Sequence, residues 1–178
     1  MISFNSEKLF EDFLEKNIDW LKAAISADGE LFRQPRLGSY GVADFLLVAV
    51  ERTHIPVYHI HLVELKNTPL SYKHLGQCAR YKRFFEELED EGLFGGPLIF
   101  NASLIGMKTF PTDCDLCFLA QEIDWLNVYE TDIDPSEGLD LKLVSGWHKN
   151  NIGEADYEEF LSLVSHMISN EDTTDGEK

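Results

Sequence analysis

Three side chains carry the strongest chemical signal in this 178-residue chain: Asp44, Glu64 and Lys66. Asp44 stands inside the apolar run 42–50, and Glu64 lies near the end of the next one, 56–66. A carboxylate in a buried strand is costly unless it is paired or binds a metal. This chain places one in each of two neighbouring strands joined by a hairpin. Residues i and i+2 of a strand point to the same face, so Glu64 and Lys66 aim at one point. Two carboxylates on adjacent strands, with a backbone carbonyl, make a hard oxygen site suited to Mg²⁺ or Mn²⁺. A lysine on that face can orient or deprotonate a water beside the ion. The plainer alternative is a buried Glu–Lys pair with Asp44 as a capped turn residue, because a Glu-x-Lys match is frequent by chance.

The elements that must bring these residues together follow from periodicity. Residues 7–27 read as one amphipathic helix: Ser6 caps it, and Leu9, Phe10, Phe13, Leu14, Ile18, Leu21, Ala24 and Ile25 recur near a period of 3.6. Glu7, Glu11 and Glu15 share another face of it. Residues 31–37 read as a short strand that Pro35 confines to an edge or bulge. Residues 38–41 form a turn, and 42–50 form a strand buried on both faces. After the turn at Thr53-His54 comes the strand 56–66. Asn67-Thr68-Pro69 breaks it, and a helix spans 71–91, with Leu75, Cys78, Ala79, Phe84, Phe85 and Leu88 on its apolar side. Residues 95–97 turn. Further strands are predicted over 98–105, 116–120, 126–129 and 139–144, a last helix over 154–168 and an acidic flexible tail over 170–178. The class is α/β or α+β with a mixed sheet, in a single domain over residues 1–169.

Asp44, nineteen residues of hairpin character, Glu64-Leu65-Lys66, a strand break and a helix make up an order that resembles the PD-(D/E)XK nuclease superfamily. The resemblance runs from Glu11 to about Phe85, close to half the chain. Its motif stands here as Gly41-Val42-Ala43-Asp44 and Val63-Glu64-Leu65-Lys66-Asn67; the one departure is Ala43, where the family pattern has proline. The resemblance implies a restriction-endonuclease-like core of order α-β-β-β-α-β, with extra C-terminal strands and a helix. It also implies Mg²⁺ or Mn²⁺ held by Asp44, Glu64 and the Leu65 carbonyl, with Lys66 serving the attacking water. Gln77 and Tyr81, at i and i+4 on the second helix, are similar to the Gln-x-x-x-Tyr motif of the exonuclease-type branch, where the pair touches the DNA strand. The stretch 75–81 also resembles the nuclease domain of archaeal and actinobacterial mismatch or branched-DNA endonucleases, which implies a site role for a first-helix glutamate, here Glu11. The activity implied is metal-dependent cleavage of DNA. The alternative is a catalytically silent nuclease-fold subunit that binds or regulates within a nucleic-acid-processing complex.

The charge pattern bears on that choice. The formal net charge is −17, from 15 Lys and Arg against 32 Asp and Glu. It is uneven: residues 33–83 hold eight cations and three anions, a net of +5, and the remainder carries −22. An anionic ligand is therefore expected on a face made from this window, with Arg36, Lys73, Arg80 and Lys82 as phosphate contacts that set affinity but not sequence preference. The acidic surface is left for a second copy or a protein partner. The +5 window argues against an acidic mimic of nucleic acid.

Other signals are weaker. Cys114-Asp115-Leu116-Cys117 is a lone Cys-x-x-Cys, short of the four ligands of a zinc site, and opens an apolar run rather than a helix. Cys78, Cys114 and Cys117 are read as structural. His59 and His61 share a strand face and, with His54, are read as structural rather than as ligands. There is no P-loop and no Gly-x-Ser-x-Gly elbow. No stretch approaches ~18 continuous apolar residues and the start lacks a basic n-region, so neither a membrane span nor a secretory signal is expected, and a reducing cytoplasm is the expected setting.

Overall fold

The sheet follows the chain. Six strands, β1 (Glu30–Arg33), β2 (Phe45–Glu51), β3 (Val57–Lys66), β4 (Leu98–Met107), β5 (Leu126–Asp134) and β6 (Gly138–Leu143), lie side by side in the order in which they occur. β1, β2 and β3 form an antiparallel meander, with Phe45 opposite Val63 and Glu51 opposite Val57. β3, β4 and β5 are parallel, and β6 turns back antiparallel. A parallel step needs a crossover, and helices supply both: α3 (Tyr72–Asp90) joins β3 to β4, and α4 (Cys114–Gln121) joins β4 to β5. Two helices, α1 (Glu7–Lys16) and α2 (Ile18–Ile25), precede the sheet. The protein is thus α+β, with a mixed six-stranded sheet flanked by helices. The computed structural model describes residue 4 and residues 6–107, 114–134 and 138–144, all within one compact unit spanning Met1–Gly146. The expected helix over 154–168 and the tail over 170–178 lie outside the described residues. No helix among the described residues is long and apolar enough to cross a membrane.

Period-2 alternation divides the core between the two faces of the sheet. Leu46, Ile60, Leu62, Leu104 and Val128 pack beneath α3 and α4, against Leu75, Cys78, Phe85 and Leu116. Phe45, Leu47, Val63, Leu65 and Ile105 face the other way, against Phe10 and Leu14 of α1 and Leu21 and Ile25 of α2. At about 25 cal/mol per Å² of apolar surface buried, these two layers are the main force that holds the strand ends in register.

Three elements differ from expectation. The helix over 7–27 is two helices. Asn17 leaves helical geometry (φ −121°, ψ 40°) and its side-chain amide donates to the Phe13 carbonyl at 2.9 Å. Asparagine competes in this way for backbone partners. The strand expected over 42–50 begins only at Phe45, so Asp44 stands just ahead of it rather than inside. The strand is fully buried only over its first three residues, and Val50 is 44% exposed. The strand expected over 116–120 is α4. Its buried residues Leu116, Cys117 and Ala120 fall at i, i+1 and i+4, a helical face, and a short apolar run alone does not tell helix from strand. Cys114 is therefore the first residue of a helix, contrary to the expectation that this motif opens a strand.

His61 offers a test of the packing between β3 and β4. Its Nε2 meets Ser103 Oγ at 2.8 Å, and burial pushes the imidazole down to about 4. Between that value and the ordinary ~6.5 the unfolded chain binds the extra proton, so stability falls as pH drops through this window. The loss attributable to His61 should reach about 3 kcal/mol near pH 4. Urea unfolding of wild type and His61→Asn at pH 7.5 and 5 should give a shallower pH dependence for the variant. Equal dependences would mean that His61 is not held neutral.

Candidate active site

Asp44 is placed by the irregular segment 34–44, which doubles back beside β2. The Gln34 amide donates to the Asp44 carbonyl at 2.8 Å, Ala43 to Pro35 at 3.2 Å and Leu37 to the Gly41 carbonyl at 2.8 Å. Arg36 and Val42 form an isolated bridge. The segment delivers the Asp44 carboxylate to the end of β3, where Oδ2 accepts the Leu65 amide at 2.6 Å. Leu65 therefore turns its N–H toward Asp44, and the carbonyl of a strand residue lies on the same side as its amide.

Glu64 and Lys66 are in phase with Leu62 and face α3. Lys66 Nζ donates to Glu64 Oε1 at 2.6 Å, so the two side chains converge as i and i+2 on a strand should. Glu64 is only 1% exposed and Lys66 9%. The second Glu64 oxygen, Oε2, is buried and accepts no hydrogen bond. A buried acceptor left in this state costs about 1–3 kcal/mol, and more when charged.

The electrostatics express the same crowding. Burial, and then the Glu64 charge, push Asp44 up to about 8, against the opposing Leu65 amide and Lys66. Burial also raises Glu64, opposed by Lys66. Two carboxylates this close titrate as a unit. Burial works against the Lys66 ammonium, but Glu64, Asp44 and Glu7 together outweigh it, and its pKa is raised. With this geometry Lys66 is a charged hydrogen-bond donor, a state suited to orienting a water rather than to deprotonating one.

The first helix contributes differently from expectation. Glu11 is buried, and its carboxylate takes Arg33 Nε at 3.2 Å and Nη2 at 3.1 Å, as well as Gln34 Nε2 at 2.9 Å. Its charge reaches Asp44, but its oxygens are already occupied. The α1 carboxylate that touches the cluster is Glu7, one turn earlier, 3.7 Å from Lys66 Nζ. The shared face of Glu7, Glu11 and Glu15 was the available signal, and it did not distinguish among them.

α3 walls the site on its own side. Gln77 Nε2 donates to the Tyr81 hydroxyl at 2.8 Å, so these two do meet as their spacing implies. Tyr81, however, is only 2% exposed. Its ring packs among the core residues, and its hydroxyl donates to the Val42 carbonyl at 2.7 Å. Buried in this way, Tyr81 does not present the strand-contacting surface that the resemblance implies for it. Its distance of seven residues from His74 and three from Cys78 puts it on the helix's inward face. His74, which the sequence reading passed over, accepts the Ser71 amide on Nδ1 at 3.1 Å. It lies within electrostatic reach of Lys66 and Glu7, and burial, with Lys66, lowers its pKa.

The basic window is only partly available. Arg33 is enclosed by Glu11, Asp12 and Glu15; Lys82 is paired with Glu86, and Arg83 with Glu86 and Glu87. Lys82 also lies 5.7 Å from the centre of the Trp125 ring. It lines a cavity of about 360 Å³ with Phe100 and Trp125, near the start of β4 and so away from the strand end that carries Lys66. Arg36, Lys73 and Arg80 are exposed and form no ion pair with a described residue. Among the described residues no three His, Cys, Asp or Glu side chains converge on one point. The carboxylates that act on one another electrostatically are those of Asp44 and Glu64, and Leu65, next to Glu64 in the motif, gives its amide to Asp44.

The raised Asp44 value yields a prediction. A carboxyl whose pKa is higher in the folded than in the unfolded state loses stability as pH rises from its ordinary ~3.9 to the folded value. Asp44→Asn should therefore raise the thermal midpoint in EDTA at pH 9 and change it little at pH 4. Scanning calorimetry decides this, and an equal shift at both pH values would contradict the crowded-carboxylate picture.

In comparisons with known proteins, no family model, no curated protein and no solved structure matches the chain, so the functional reading rests on its own geometry.

Proposed function

We propose that the chain is a divalent-metal-dependent nuclease that hydrolyses phosphodiester bonds of DNA, built on a restriction-endonuclease-like core. The carrying observation is Glu64 Oε2: an oxygen of a carboxylate 1% exposed, without a hydrogen bond, beside the raised Asp44 carboxyl. Orphaned, crowded carboxylates are what a cation relieves. Asp44, Glu64 and the Leu65 carbonyl fit Mg²⁺ or Mn²⁺, which take one or two carboxylates and keep several waters. When bound, such an ion acidifies water and neutralises charge developing on phosphate.

The chain's own groups supply the rest. Lys66, held between Glu64 and Glu7, presents a charged donor that orients a water for attack on phosphorus. Hydrolysis joins the water oxygen to phosphorus and breaks one P–O ester bond, and the departing oxygen takes up a proton. Arg36, Lys73 and Arg80 give the polyanion unpaired cations to meet. The fold reading is supported by the element order: helix, three antiparallel strands, a helical crossover, then a parallel strand.

One observation favours the alternative of a silent nuclease-fold subunit that binds without cutting. Four of the eight cations in the 33–83 window, Arg33, Lys66, Lys82 and Arg83, are already neutralised by carboxylates.

Cleavage of labelled single-stranded and duplex DNA in Mn²⁺ separates the two. Asp44→Ala and Glu64→Ala should abolish cutting with the fold retained. Lys66→Ala should reduce turnover by about 10²–10⁴ while calorimetric Mn²⁺ affinity stays within a few-fold. Wild-type rates in both carboxylate variants would overturn the site. Binding in Ca²⁺ with no cutting by wild type in either metal would install the silent-subunit reading. Arg80→Glu should weaken binding to all sequences alike and flatten the salt dependence by about 0.9 per lost duplex phosphate contact; fluorescence anisotropy across a salt series measures it.

A further inference from the structure

We infer that Tyr81 is a positioning residue, one that fixes the backbone carrying Asp44 and touches no substrate. The inference rests on the nuclease reading for its catalytic consequence, though not for its geometry.

The hydrogen-bond directions are forced. The Val42 carbonyl can only accept, so the single Tyr81 proton is committed to it at 2.7 Å. The phenolic oxygen must then accept from Gln77, which fixes the orientation of that amide with Nε2 toward Tyr81 at 2.8 Å. Val42 lies two residues before Asp44. The segment is tied on its other side by the bonds from Ala43 to Pro35, from Leu37 to Gly41 and from Gln34 to Asp44. Residues 41–44 are thus held between the doubled-back chain 34–37 and the phenol of α3, with no ladder of their own beyond the Arg36–Val42 bridge.

Gly41 is the second, independent observation. A Cβ there would lie 3.2 Å from Tyr81 Cε1 and 3.4 Å from its hydroxyl, and the residue has φ +123°, which disfavours any side chain. A Cβ there would be tighter than ordinary van der Waals contact, so the ring would have to give way to it. With the ring 2% exposed and the hydroxyl's proton committed, Tyr81 has neither face nor proton to offer a bound strand. What it transmits is position, through Val42 to Asp44, whose Oδ2 in turn takes the Leu65 amide at 2.6 Å.

Tyr81→Phe keeps the ring and removes the bond. Phe85→Leu, one turn further along the same buried face, is the control for stability loss alone. In Tyr81→Phe, amide hydrogen exchange at Leu65 should accelerate about tenfold relative to Leu104 and Ile105 in the neighbouring strand, as the Asp44 carboxylate loses its fixed place. In Phe85→Leu the three amides should shift together. Calorimetric Mn²⁺ affinity should fall about tenfold in Tyr81→Phe, the scale of a lost supporting contact at a metal site, and remain unchanged in Phe85→Leu. Oligonucleotide affinity in saturating Ca²⁺ should not change in either. An unchanged Leu65 amide in Tyr81→Phe overturns the inference. So does a loss of oligonucleotide affinity without a change at Leu65, which would put the phenol on the strand instead. If wild type binds no Mn²⁺ at all, the nuclease reading fails, and the exchange measurement still decides whether Tyr81 positions Asp44.

Discussion

The bond from the Leu65 amide to the Asp44 carboxylate closes a gap that the sheet leaves open. β2 begins at Phe45, opposite Val63, so the last three residues of β3, Glu64–Lys66, have no ladder partner on that side at the point where its two charged side chains emerge. A side-chain oxygen takes the place of a ladder partner there. Because β2 starts no earlier, the irregular segment before it can bring a charge rather than another apolar residue to the end of β3.

That arrangement is held against its own electrostatics. Two carboxylates and one ammonium are buried together, and the resulting imbalance is spread rather than cancelled: Lys66 answers Glu64 and Glu7, and the Leu65 amide answers Asp44. The compensation comes from the two apolar layers, in which fully buried Leu62, Val63 and Leu65 alternate with the charged residues along the same strand. A second charge network lies alongside. Arg33 on β1 gathers Glu11, Asp12 and Glu15 from α1, which binds the edge of the sheet to the helix that covers it. The most acidic part of the helix is therefore partly offset from within the fold before any ligand meets it.

The parts of the fold that were legible in the sequence are those where one local rule acts alone. β3 ends where Asn67-Thr68-Pro69 must break it, and α3 spans the amphipathic run that follows; both lie where periodicity and breakers place them. The convergence of Glu64 and Lys66 needed only the two-residue pleat. The failures occur where a tertiary partner decides. Asn17 ends the first helix as a cap whose side chain and backbone N–H both bond the Phe13 carbonyl, while its own dihedrals leave the helix. α4 is helical because a parallel step needs a crossover, a demand of topology invisible in five consecutive apolar residues. Glu7 and Glu11 have identical local claims, and Arg33 and Gln34, remote in sequence, decide which of them is consumed. Tyr81 has the inward spacing of Cys78 and Phe85, but the partner that takes its hydroxyl, the Val42 carbonyl, is remote in sequence.

The parallel pairing of β3 with β4 sets the order in which the molecule can assemble. The meander β1–β2–β3 joins neighbours through the segment 34–44 and the turn 52–56, whereas β4 can dock on β3 only after the whole of α3 has been laid across the sheet, a longer closure with a larger entropic cost. Glu64 lies opposite Leu104 of that incoming strand. Until β4 arrives Glu64 keeps its water, so its desolvation is tied to the docking of that strand. Interactions formed after the transition state are felt in the rate of escape from the native state rather than in the rate of reaching it. Were β4 to dock after the transition state, ionisation of the Asp44–Glu64 pair would shorten the lifetime of the folded chain more than it slows folding.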